Sequence, residues 1–116
     1  MITVYGIPNC NTVKKAITWL KEGGFDFDFH DFKKKGVTAE KLNEWCDVFG
    51  WENILNKKGT TWKKLSPEEQ LVAKDQDGAV QILLKYTSAI KRPVIEKDGK
   101  AILLSFHEDQ YRALLK

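Results

Sequence analysis

Residues 2–20 read Ile-Thr-Val-Tyr-Gly-Ile-Pro-Asn-Cys-Asn-Thr-Val-Lys-Lys-Ala-Ile-Thr-Trp-Leu, and they place a cysteine where a β-strand gives way to an α-helix. The strand is read from the β-branched and aromatic run Ile2, Thr3, Val4, Tyr5, with Gly6 and Pro8 ending it. The helix is read from Val13, Ala16, Ile17 and Leu20, an i, i+3, i+4, i+7 apolar stripe that Lys14, Lys15, Lys21 and Glu22 avoid. Cys10 therefore falls at or just before the first helical turn, where unpaired N–H groups and the positive end of the helix dipole favour an anion. A thiolate is such an anion, and it is the form that attacks electrophiles. With a pKa near 8.5 only about 3% of a thiol is ionised at pH 7, whereas near 6.5 about three-quarters would be. A lone cysteine is more often an inert small hydrophobe. Cys10 lies instead among the polar residues Asn9, Asn11 and Thr12, and it is read as a nucleophile.

The rest of the chain continues the pattern. Gly23-Gly24 stops the first helix. Phe25, Phe27 and Phe29 then alternate with Asp26, Asp28 and His30, the period of a half-buried strand. Lys33-Lys34-Lys35 is expected to be a solvated loop, and Thr38 to cap a helix with its apolar face at Leu42, Trp45, Cys46 and Phe49. Cys46 is read as core filling. Trp51–Leu55 suggests a short helical turn, and Asn56–Thr61 a polar loop. Ser66-Pro67-Glu68-Glu69 starts another helix, with a break expected near Asp77-Gly78 and a further helix through Ala79, Leu83 and Tyr86. Val94-Ile95-Glu96 and Ala101–Leu104 read as a hairpin about Asp98-Gly99. Ser105-Phe106-His107-Glu108 has the form of a capping box for a terminal helix carrying Tyr111, Leu114 and Leu115.

This order, β-α-β, a helical segment, then β-β-α, predicts an α/β fold. It is a thioredoxin-like, four-stranded mixed sheet flanked by helices, in one domain over 1–116 with a helical insertion at about 38–90. Composition bounds the function. The 116 residues carry a net charge of +3, too little to argue for nucleic acid, with the lysines spread along the chain. No apolar run approaches a membrane span, and residue 1 leads directly into a strand rather than a secretory signal. Two cysteines without a signal suggest free thiols in a reducing compartment, so the cytoplasm is expected, with a monomer as the default. No His/Cys/Asp spacing suggests zinc, and no glycine pattern suggests a nucleotide. His30, at a strand end, and His107, in the capping box, are read as structural, and Trp19, Trp45, Trp51 and Trp62 as packing residues.

Four stretches together resemble the ArsC-type proteins of thioredoxin-like fold, and most closely the YffB-type branch, described as glutathione-dependent thiol reductases. They are Tyr5–Cys10 with Thr12–Ala16, His30-Asp31, Leu55–Leu65, and Ile90-Lys91-Arg92-Pro93-Val94. The resemblance implies that Cys10 is the redox or arsenate-attacking nucleophile, that Arg92 faces the active site, and that the Arg92-Pro93 bond is cis. Glutathione is then the co-substrate and resolving thiol, with no tightly bound cofactor and no metal. A glutaredoxin-like protein is an onward partner, and the substrate is a thiol or small molecule. The binding set it implies is Asn11, Thr12, Lys57, Arg92 and Pro93. An arginine fork suits this because it can hold a carboxylate or oxyanion at two points.

Two departures qualify the resemblance. Asn56, with Lys57 and Lys58, stands where an arsenate reductase carries a further arginine, and Leu103-Leu104-Ser105-Phe106 contains none, so arsenate is the alternative substrate rather than the first. The residue three after Cys10 is Val13, so no local resolving thiol exists and an external one is needed. The missing Cys-x-x-Cys also argues against an Spx-like regulator of RNA polymerase with that switch, the other alternative.

Overall fold

The computed structural model describes all residues, 1–116, and they form two compact units: residues 1–35 with 92–116, and residues 36–91.

In the first unit, β1 (Ile2–Gly6) leads to α1 (Asn11–Glu22), then β2 (Phe27–Asp31) and a single turn, α2 (Phe32–Lys35). After the second unit the chain returns as β3 (Val94–Lys97), β4 (Lys100–Leu104) and α8 (Glu108–Leu115). The strand order is β2-β1-β3-β4, with β1 parallel to β2 and antiparallel to β3, and with β3 and β4 joined as an antiparallel hairpin. The hairpin turns at Asp98 and Gly99, both at positive φ (53° and 82°). This is the mixed, thioredoxin-like sheet that the element order predicts. Ile2, Val4, Ile95 and Leu103 share one face of it, and Ala16 and Leu20 of α1 with Tyr111 and Leu115 of α8 close over them. Half-buried Phe25, Phe27 and Phe29 pack against the same core, consistent with their alternation. The hydrogen-bonded strand itself starts only at Phe27.

Gly6 sets how closely α1 can approach β1. A Cβ there would lie 2.8 Å from Val13 Cγ2, closer than two carbons pack. The absent side chain lets the first turn of α1 settle against the end of β1. Val13 is fully buried as a result.

The second unit is helical. It comprises α3 (Ala39–Phe49), α4 (Trp51–Ile54), α5 (Thr60–Lys63), α6 (Pro67–Val72), α7 (Gln76–Lys85) and a 3-10 turn at Thr87–Ala89. Thr38 caps α3 by accepting from Lys41 N–H (3.1 Å), and Ser66 caps α6 by accepting from Glu69 N–H (3.1 Å). Leu42, Trp45 and Cys46 of α3 are buried, as are Ala79, Ile82 and Leu83 of α7, which packs against α3. Asn56 N–H donates to Ala89 O (2.8 Å) and Lys91 N–H to Ile54 O (2.7 Å), tying the α4 end to the end of the unit.

Three local expectations are corrected. The lysine run 33–35 is the helical turn α2 rather than a loop, because Asp31 accepts from Lys33 N–H (2.9 Å) and caps the turn. The break before α7 falls at residues 73–75, not at Asp77-Gly78. Asp75 is the true N-cap, accepting from Gly78 N–H (2.8 Å), and Gly78 lies inside the first turn. Ser105 does not cap α8. It sits at φ 63° with its N–H donating to Pro93 O (2.8 Å) and its carbonyl accepting from the Tyr111 hydroxyl, and His107 occupies the N-cap position without a side-chain bond.

Candidate active site

Cys10 is the N-cap residue of α1. Its backbone is extended (φ −136°, ψ 123°), and its carbonyl accepts the first helical bond from Lys14 N–H (3.0 Å). An N-cap residue faces the free N–H groups of the first turn, and a serine or aspartate would normally accept there. The Cys10 side chain makes no such capping hydrogen bond, but its sulfur lies where those N–H groups act on its charge. Cys10 is half-buried. Burial alone would raise its pKa. The Val13 N–H, the Arg92 guanidinium as hydrogen-bond donor and as charge, and the Thr12 N–H together outweigh burial and bring it below the ordinary thiol value. Dipole, amides and guanidinium all favour the same ionic form.

The sheet explains how residues 10 and 92 meet. β1 and β3 are antiparallel, with Tyr5 opposite Val94. The chain leaving β1 toward Cys10 and the chain entering β3 from Arg92 therefore lie at the same end of the two central strands. The Arg92-Pro93 peptide is cis, as the family resemblance implies. Pro93 is buried, and its carbonyl is held by Ser105 N–H (2.8 Å), which fixes the backbone that carries Arg92.

The remaining predicted residues divide. The Thr12 backbone N–H favours the Cys10 thiolate, the smallest of the contributions that lower its pKa. Asn11, the first residue of α1, is exposed and lines a groove along that helix. Lys57 belongs to the helical unit, where its ammonium lies over the rings of Trp51 (5.6 Å) and Trp62 (5.7 Å), a cation–π arrangement. Nothing in the sequence pattern signals that engagement, because it depends on the fold of α4 and α5. Cys46, the second thiol, is buried in α3, and burial with the nearby Asp47 charge pushes its pKa up to about 11. It is a packing group. No group of three or more His, Cys, Asp or Glu side chains is gathered to hold a metal ion, and no helix is long and apolar enough to cross a membrane.

The model of the ArsC family matches residues 5–114. The chain belongs to the ArsC family. Among solved structures, the YFFB (PA3664) protein superimposes with a TM-score of 0.94 at 41% identity over 100% of both chains. An uncharacterized protein of Haemophilus influenzae is 42% identical over 113 residues, 97% of each chain. A more distant relative, the global transcriptional regulator Spx of Streptococcus pneumoniae, is 26% identical and spans 99% of this chain and 86% of its own. This ArsC-family chain thus shares its architecture with YFFB across its whole length.

Proposed function

We propose that this ArsC-family protein is a thiol-dependent reductase in which Cys10 is the nucleophile and glutathione the resolving thiol. The observation that carries the reading is the Cys10 sulfur at the N-terminus of α1, facing the N–H groups of Val13 and Thr12 and the Arg92 guanidinium. The Cys10 thiolate attacks the glutathione sulfur of a mixed disulfide, the S–S bond breaks, and the other thiol leaves as a thiolate that takes a proton from water. A second glutathione thiolate then attacks the Cys10–glutathione disulfide, releasing oxidised glutathione and restoring the Cys10 thiolate. No second protein thiol is needed, in keeping with Val13 three residues on and Cys46 buried. Arg92 supports the same reading twice, by stabilising the thiolate and by offering a fork for a glutathione carboxylate.

Arsenate is the less favoured substrate. The chain has two arginines, Arg92 and Arg112, and Arg112 pairs with Glu108 (3.6 Å) and Asp109 (3.7 Å) on α8. A tetrahedral oxyanion at Cys10 therefore has one guanidinium fork available to it. A regulatory role without turnover is the second reading, favoured by the Spx relative that spans nearly the whole chain. One experiment separates them. Protein exposed to oxidised glutathione is mapped by peptide mass spectrometry and assayed on the 2-mercaptoethanol–glutathione mixed disulfide. One adduct, at Cys10, with turnover that Cys10→Ser abolishes, is the expected result. An unmodified Cys10 without turnover would leave the regulatory reading.

A further inference from the structure

Along α1 runs an open groove of about 520 Å³ lined by Asn11, Lys14, Lys15, Thr18, Trp19, Glu22 and, from the segment before α8, Phe106. The α1 positions are i, i+3, i+4, i+7, i+8 and i+11, a single stripe down the whole helix. At 1.5 Å per residue it extends about 16 Å from the residue next to Cys10. Its floor is braced: Trp19 stacks on Phe25 (5.5 Å between centroids) and meets Tyr111 edge-on (5.6 Å), and Phe106 meets Tyr111 edge-on (4.9 Å). Its lining carries two ammonium groups toward the Cys10 end and one carboxylate at the far end, and the Lys116 ammonium lies over the Trp19 ring (5.5 Å to the centroid). None of the protein's ion pairs uses Lys14, Lys15 or Glu22.

Resting on the reductase reading, we infer that this groove seats an extended polypeptide segment beside the cysteine that Cys10 releases from its glutathione disulfide. The substrate class is then a glutathionylated peptide or protein rather than a small oxyanion. A small ion would occupy only a fraction of a 16 Å groove, whereas an extended chain advancing about 3.3 Å per residue crosses it in about five residues. The positions follow from the helix rise. Lys14 and Lys15 lie about 6–8 Å beyond Cys10, Trp19 about 14 Å and Glu22 about 18 Å. A matching segment carries acidic residues about two positions from its cysteine, an apolar residue about four away and a basic one about five away. Charge complementarity sets the order, and the rigid aromatic floor takes the apolar side chain. In the transfer step the segment's sulfur is the leaving group, so binding it in the groove aligns the S–S bond with the attacking thiolate.

The test uses fluorescein-labelled peptides with an S-methylated, unreactive cysteine. Glutamates stand two and three residues from it, leucine four and lysine five, in each chain direction, each with a composition-matched scramble. Fluorescence anisotropy at low ionic strength should show one direction binding about tenfold tighter than its scramble. Lys14→Glu/Lys15→Glu should erase that preference, and a peptide with lysines in place of the glutamates should restore it. In kinetics, the ratio of kcat/KM on the glutathionylated peptide to that on the 2-mercaptoethanol–glutathione disulfide should fall about tenfold in the double variant. No preference in either direction, or a preference the double variant keeps, overturns the groove. Preference without turnover of either disulfide upholds the groove as a peptide site and removes the reductase reading. Turnover without preference does the reverse.

Discussion

The proposed function gives Arg92 two tasks that different substitutions separate. As a charge beside Cys10 it stabilises the thiolate, and as a planar fork it can hold a carboxylate at two points. Lysine preserves most of the first and little of the second. Arg92→Lys should therefore keep more of the lowered Cys10 pKa than Arg92→Ala, while both weaken glutathione affinity by about ten- to a hundredfold, the worth of a charge-assisted bond at about 1.5–3 kcal/mol. Lys97→Ala in the exposed hairpin is the control and should alter neither. Equal glutathione affinity in wild type and Arg92→Ala, measured by titration calorimetry, would remove Arg92 from the site. The lowered pKa also fixes a sign. Across the window between the folded and unfolded values of Cys10 the folded state binds fewer protons, so this group's contribution to stability grows as pH rises through that window and is absent below the folded pKa. Cys10→Ser should lose that slope.

At the scale of elements, α6 and α7 show what the sequence pattern conceals. Gly78, in the first turn of α7, lies so close to the end of α6 that a Cβ would sit 1.7 Å from the Val72 carbonyl oxygen. Helix propensity alone favours Gly78→Ala by about 1 kcal/mol. The clash with backbone outweighs it, so the variant should be less stable by about 3 kcal/mol, at the upper end for overpacking, as read from the urea midpoint. A neutral or stabilised Gly78→Ala would show that α6 yields freely. Elements whose signals are local are legible in the sequence: the α1 and α3 stripes, the Thr38 and Ser66 caps, and the Asp98-Gly99 turn. Those decided by a competing partner are not. Ser105 looks like a cap until the Pro93 carbonyl draws its N–H away, and Lys33–Lys35 looks like a loop until Asp31 folds back to cap it. The break before α7 misleads because glycine reads as a stop, while here its value is the close approach of two helices.

For the whole molecule, the site is a consequence of topology. The placement of Cys10 at the start of α1 is legible from its own neighbours, because the strand, the polar turn and the helix stripe all lie within residues 2–20. Arg92 is not, since nothing local joins residue 92 to residue 10. Its pairing arises from β3 running antiparallel beside β1, and before folding only the family resemblance pointed to it. The groove along α1 was likewise hidden. Its lysines and glutamate read as an ordinary solvated helix face until Phe106 and the braced Trp19 give that face a floor. The two thiols can be compared in one experiment, since the fold lowers the Cys10 pKa while it buries Cys46 and raises its pKa. Alkylation by iodoacetamide is followed at both cysteines in one sample across pH, by peptide mass spectrometry. The Cys10 rate should have a midpoint below the ordinary thiol value of about 8.5, and Cys46 should react only once the protein is unfolded. A Cys10 midpoint at or above that value, or a Cys46 that reacts first, would contradict that contrast between the thiols.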